Sequence, residues 1–70
     1  MTTMESLVEA TQREIKRNRE LLDLYRDLPN GAGKFAEMMI EMKVENAITV
    51  LAGGDVVEIM AAYEDLRNSE

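Results

Sequence analysis

The sequence of 70 residues contains no cysteine, no histidine and no tryptophan. Without cysteine the chain forms no disulfide and no zinc site built on sulfur, a composition typical of proteins in a reducing compartment such as the cytoplasm. Without histidine it lacks the commonest general base and the commonest ligand of transition metals. We therefore predict that the protein is not an enzyme, that it holds no cofactor or metal, and that it is cytoplasmic.

Negative charge prevails, because 14 acidic side chains outnumber 8 basic ones and give a formal net charge of -6. Phosphate backbones and anionic lipid headgroups repel such a chain. The longest apolar runs are far too short to cross a bilayer, and the sequence opens with no signal peptide. These features predict a partner that is neither nucleic acid nor membrane.

Two short breaks divide the chain into three segments rich in helix formers, which predicts an all-α fold in one domain, 1–70. The first break is the turn 29–33, where Pro29 restrains the residue before it and glycines accept positive φ. The second is the pair Gly53 and Gly54, which suits a helix C-cap. The predicted helices cover about residues 3–28, 34–52 and 55–67. Because short connections favour antiparallel neighbours, we expect a helical hairpin with a long first helix and a short third helix folded back.

Capping residues and apolar stripes in the sequence support the prediction of these helices. Thr2 with Glu5, and Asp55 with Glu58, have the spacing of capping boxes. In the first helix a 3-4 spacing predicts a buried seam of Met4, Leu7, Thr11, Asn18, Leu21, Tyr25 and Leu28. Asn18 either pairs across an interface and fixes register, or lies at the edge of the seam and binds water. The predicted stripe of the third helix is Val56, Ile59, Met60, Tyr63 and Leu66.

The second helix is apolar around nearly its whole circumference, and two neighbours cannot cover all of it. One stripe consists of Ala36, Ile40, Val44, Ala47 and Leu51. The other, about a third of a turn or more away, consists of Phe35, Met38, Met39, Met42 and Val50. The methionines are either flexible filler of the core or anchors of an adaptable binding surface. Apolar surface left uncovered predicts a second copy of the chain or another protein as its cover.

The last two turns of the first helix are also unusually apolar. Leu24 projects close to the basic face, and with Leu21 and Tyr25 it widens the apolar arc. Such an arc at the end of a long helix indicates an oligomer contact, so we predict a homodimer. The predicted partner-binding residues are Phe35, Met38, Met39, Met42, Leu21, Leu24 and Tyr25.

Two groups of charged side chains have a functional and a structural interpretation. The basic group, Arg13, Lys16, Arg17 and Arg19, is either a phosphate-binding patch or a solvated face paired with nearby acids. We expect the solvated face, because no aromatic residue is interleaved with it. The acidic group, Glu37, Glu41 and Glu45, could hold a hard cation, but it has no accompanying histidine motif. We expect a solvated rim, partly neutralised by Lys34, that steers a basic partner.

The segment Gly31–Lys34 differs from a phosphate-binding loop in its spacing and in having Phe35 after the lysine. No strand precedes it, as that motif requires. A turn followed by a helix N-terminus explains it.

The segment Leu51–Leu66, with Gly-Asp-Val-Val after a glycine turn, together with Phe35–Ile40, resembles small helical proteins of Mu-like bacteriophages and prophages. The resemblance covers about half of the chain. It implies a phage accessory protein without catalytic residues that binds a host protein stoichiometrically, such as a transcriptional regulator, a defence effector or a pilus motor. In that case the host cytoplasm is its location.

Three functions therefore compete. The first is a dimeric binding protein, as a phage-encoded inhibitor or modulator of a host protein. The second is a structural or assembly subunit of a larger complex. The third is an acidic mimic of nucleic acid, suggested by the excess of acids over bases after Asn30.

Overall fold

The computed structural model describes residues 4–69, with side chains from Ser6 onward, and this part of the chain is all-helical without a strand. The three α-helices are α1 (Met4–Arg26), α2 (Lys34–Gly53) and α3 (Val56–Arg67), and a single 3₁₀ turn covers Pro29–Gly31. All three helices pack against one another. The all-α fold is thereby confirmed. The predicted cap of Thr2 and Glu5 lies outside the described side chains.

The chain leaves α1 two residues before the predicted end, because Leu28 precedes proline and is extended (φ -69, ψ 137). Asn30 and Gly31 then take positive φ, which a short polar side chain and glycine tolerate best. Gly33 brings the turn back against α1. A Cβ at this position would lie 2.6 Å from the carbonyl oxygen of Tyr25, so only glycine fits here without a shift.

The second corner follows the sequence prediction closely. Gly54 is left-handed (φ 76), and its N–H donates to the carbonyl of Val50, 3.1 Å away, which closes α2. The carboxylate of Asp55 then accepts hydrogen bonds from the N–H groups of Val57 (2.9 Å) and Glu58 (3.1 Å), which caps α3.

The core lies where the three helices meet. Its buried apolar residues are Leu7, Ile15, Leu22, Ile40, Val44, Ala47, Ile59, Ala62 and Leu66. Leu28 of the predicted seam lies beyond the end of α1 and is exposed. Within α1, the seam residues Leu7, Thr11 and Asn18 are buried as predicted. Toward the C-terminal end the buried line shifts to Leu22, and the predicted Leu21 and Tyr25 are half-buried. The reason is that α1 contacts two helices on adjacent sides, and its most buried line lies between them.

The predicted stripe of α3 is wrong at two positions, since Val56 and Met60 are exposed and Ala62 is buried instead. The buried positions Ile59, Ala62 and Leu66 have the i, i+3, i+7 spacing of a helix face. The small side chain of Ala62 permits a close approach of α3 to its neighbours.

Polar side chains of α1 hold the end of α3. Asn18 is fully buried, and its Nδ2 donates to the carbonyls of Glu14 (2.7 Å) and Leu66 (3.1 Å). Arg17 donates from Nη2 to the Leu66 carbonyl (2.8 Å) and forms an ion pair with Glu14. Asn18 therefore pairs across the interface between α1 and α3 and does not lie at a solvated edge. Arg17 is half-buried, contrary to the prediction of a solvated side chain.

Candidate protein-binding surface

Four of the predicted partner-binding residues form one exposed apolar surface on the first turns of α2. Phe35, Met38, Met39 and Met42 are 77%, 55%, 41% and 63% exposed. At roughly 100° per residue these positions share one face of the helix, opposite the buried line through Ile40, Val44 and Ala47. We call these four residues the methionine patch. Because its side chains are exposed, they do not fill the core of this chain.

The methionine patch continues into a groove of about 320 Å³ between α1 and α2, at the end of α3. This end groove is lined by Tyr25, Phe35, Ala36, Met39, Ile40, Lys43, Asn68 and Ser69. The structure thus brings Tyr25 of α1 together with Phe35 and Met39 of α2. Such a concave site with an apolar lining and a few polar groups is suited to receive a side chain of a partner.

The two remaining predicted residues lie apart from the end groove. Leu21 is half-buried and packs against the core, while Leu24 is 66% exposed on α1. Neither lines the end groove. Leu24 is therefore available for a separate contact, and Leu21 contributes mainly to packing.

Arg26 organises the acidic side of α2, which sequence reasoning missed. Its Nε donates to Glu37 (2.8 Å) and its Nη2 to Glu41. The hydrogen bonds that Arg26 donates to Glu37 and then to Glu41 raise the pKa of its guanidinium above its ordinary value. Two of the three carboxylates thus share Arg26 as their cationic partner, and among the described residues neither forms an ion pair with Lys34. The signal was the position of Arg26 at the end of α1, one short turn before Glu37.

Among the described residues, no group of three or more acidic, cysteine or histidine side chains could hold a metal ion. The basic residues of α1 do not form one patch either. Arg17 contacts the end of α3, whereas Lys16 and Arg19 line a groove beside α2. Arg13 is exposed and does not line that groove.

Other exposed apolar side chains lie on α3 and were not predicted as surface. Val57 and Met60 are 72% and 56% exposed, close to the level of the methionine patch. Val57 lies outside the predicted apolar stripe of α3, and this was the available signal that it faces outward, whereas Met60 had been placed in the stripe.

No known protein family, curated protein or solved structure matches this chain. The similarity to proteins of Mu-like phages therefore stays a prediction. Within the part of the chain that the structure describes, no helix has the length and apolar character needed to span a membrane.

Proposed function

We propose that the chain is a non-catalytic, homodimeric module that acts by binding another protein stoichiometrically. The observation that carries the proposal is the methionine patch with its adjoining end groove. Exposed apolar surface of this extent is unusual on a monomer unless it serves an interaction. Methionine side chains adapt to different partner shapes, and phenylalanine and methionine are both enriched at protein interfaces.

The arrangement of charges around the patch supports the same proposal. Lys43 lies in the lining of the end groove, and Glu45 follows the patch along α2. An apolar centre with a charged rim is the usual anatomy of a protein interface, in which the rim influences the association rate. The pairing of Glu37 and Glu41 with Arg26 disfavours the acidic mimic, because those carboxylates already have a cationic partner.

The proposed architecture is an antiparallel hairpin of α1 and α2 with α3 folded back. The ion pair of Arg26 with Glu37 joins the end of α1 to the start of α2. Ile15 and Leu51 line a common groove nearer the other end of α2. In this architecture the dimer contact uses either Leu24 or the methionine patch, and the target contact uses the other.

The resemblance to phage proteins extends the proposal to a biological role. A phage-encoded inhibitor or modulator would bind a host protein in the host cytoplasm, with no requirement for catalysis. A structural subunit of a larger complex is the second candidate, and it would show a permanent partner from its own assembly in place of a host protein.

A matched pair of double variants tests the proposal. Phe35→Glu/Met42→Glu places two charges in the methionine patch, and Val57→Glu/Met60→Glu does so on α3 at similar exposure. We expect the first variant to lose either the dimer or the bound protein partner, and the second to keep both. Light scattering over a concentration series gives the mass, and retention of proteins on the tagged chain gives the partner. Circular dichroism verifies that both variants are folded.

The proposal fails if the wild-type chain is a monomer that retains no protein, or if the two variants behave alike. If the proposal holds, Leu24→Glu shows which of the two surfaces, Leu24 on α1 or the methionine patch on α2, forms the dimer contact. Loss of the dimer in this variant with an unchanged partner assigns dimerisation to α1 and target binding to the methionine patch.

A further inference from the structure

A second groove lies beside the seam of α1 and α2, and no residue of α3 lines it. Its volume is about 370 Å³, and its lining consists of Gln12, Ile15, Lys16, Arg19, Ile48 and Leu51. We call it the basic groove. It shares no lining residue with the end groove, so it is a separate surface of the molecule.

The apolar floor of the basic groove is suited to a helix. Ile15 is buried at the bottom of the groove, whereas Leu51 is half-buried and Ile48 is 44% exposed, so apolar side chains reach solvent between the two helices at Leu51 and Ile48. Elsewhere in the same molecule, α3 covers another part of the contact between α1 and α2 and shows how a helix can do so. It packs against both α1 and α2 with apolar side chains at i, i+3 and i+7. A helix with the same spacing matches the floor of the basic groove.

The charge of the rim indicates which kind of helix fits. Lys16 and Arg19 are exposed, and among the described residues neither has an ion pair or a hydrogen bond from its side chain. Arg17 on the side of α3 differs, because Glu14 and two backbone carbonyls engage it. In a chain of net charge -6, two cations without partners beside an apolar strip form a local site for carboxylates.

We propose that the basic groove binds an acidic amphipathic α-helix of another protein. The apolar stripe of that helix would lie on Ile15, Ile48 and Leu51, and aspartate or glutamate side chains beside the stripe would pair with Lys16 and Arg19. A second copy of the chain is a poorer occupant. A two-fold contact through this groove places Lys16 and Arg19 opposite their own symmetry copies, and like charges repel.

The test uses two synthetic helical peptides and the full chain. One peptide carries leucine at i, i+3 and i+7 with glutamates on both sides of the stripe, and its twin has lysine in place of every glutamate. We expect the acidic peptide to bind about tenfold more tightly than the lysine twin at low ionic strength. In NMR spectra its binding should shift backbone amides of residues 12–19 and 48–51.

Variants of the chain make the assignment specific. Lys16→Glu/Arg19→Glu should reverse the order of the two peptides. Arg13→Glu/Lys34→Glu changes the net charge equally outside the groove and should leave the order unchanged. Phe35→Glu/Met42→Glu should bind the acidic peptide as the wild type does, so failure of the proposed function and failure of this inference are distinguishable.

Equal affinity for the two peptides, no binding at millimolar concentration, or amide shifts confined to the methionine patch would overturn the inference. So would a dimer that dissociates in Lys16→Glu/Arg19→Glu, because a second copy would then occupy the groove.

Discussion

The Nδ2 of Asn18 donates to the carbonyl oxygen of Leu66 over 3.1 Å, across 48 positions of sequence. Asn18 is fully buried, and its Oδ1 has no hydrogen-bond partner in the described part of the chain. Its amide group therefore acts as a donor to two carbonyls, at Glu14 and at Leu66. Because this buried side chain is used only as a donor, different replacements at position 18 should differ strongly in their effect on stability.

Asn18→Asp should be among the most harmful single changes in the chain. The carboxylate cannot donate to the carbonyls of Glu14 and Leu66, its oxygens would face those two acceptors, and burial disfavours its charge. We expect urea unfolding to show a loss of about 3 kcal/mol, whereas Asn18→Leu, which removes the orphan Oδ1, should cost about 1 kcal/mol or less. Equal losses for the two variants would contradict this expectation, because both remove the donor but only aspartate places a carboxylate against the two carbonyls.

Arg17 and Arg13 should differ in their contribution to stability although both looked solvated in the sequence. Arg17→Met removes hydrogen bonds to the carbonyls of Leu66 and Arg67, with an expected loss of about 1 kcal/mol. Arg13→Met should change the free energy of unfolding by less than about 0.5 kcal/mol. Thermal melting of the two variants checks the difference, and a smaller effect at Arg17 than at Arg13 would contradict it.

Arg26 should contribute a charge-dependent stabilisation between α1 and α2. Its pKa is raised in the folded state, so its contribution is complete below its ordinary value and is lost only as pH rises through the raised one. The stability difference between wild type and Arg26→Gln should therefore stay constant from neutral pH to about pH 11. Added salt should reduce this difference, because Arg26 is exposed.

Arg26→Lys serves as the control for that experiment. It keeps the positive charge but loses the planar fork that reaches Glu37 and Glu41 together. We expect an intermediate stability. A Lys variant as stable as the wild type would show that charge alone accounts for the effect.

Two glycines should respond in opposite directions to alanine. At Gly33 a Cβ would lie 2.6 Å from the oxygen and 2.9 Å from the Cβ of Tyr25, so the turn must move. We expect Gly33→Ala to cost about 1–3 kcal/mol. At Gly53, the last residue of α2, a Cβ would meet no atom of the described residues within 4 Å, and alanine should stabilise the helix by about 0.5–1 kcal/mol. Melting temperatures that move in the same direction would contradict this pair.

The helices could be predicted from sequence because their ends depend on local chemistry. Pro29, Asn30 and Gly54 set backbone conformations that no distant contact needs to impose. The Asp55 cap likewise depends on the next three residues only. For these reasons the number of helices and the all-α fold follow from the sequence.

The rotation of each helix could not be predicted with the same accuracy. Whether Leu21 or Leu22 is the more buried on α1 depends on where α2 and α3 lie, and a helical wheel contains no such information. On α3, Ala62 is buried and the predicted Met60 is exposed for the same reason, because close packing of helices favours the smaller side chain. Hydrophobicity alone favours the larger one.

Of the two candidate surfaces, the methionine patch could be predicted from the sequence and the basic groove could not. The exposure of Phe35 and Met42 follows from an α2 that is too apolar for two neighbours to cover. The basic groove needs residues of two helices, and Lys16 looks like an ordinary solvated lysine until Ile48 and Leu51 are placed beside it.

The way in which α3 is attached has a consequence for hydrogen exchange. A helix of 12 residues is too short to persist alone in water, so its amides are protected only while it stays docked. Arg17 and Asn18 donate hydrogen bonds to the carbonyl of Leu66 in its last turn. We therefore expect the amides of α3 to exchange together as one cooperative unit, before those of α1 and α2, through an opening that leaves the other two helices paired.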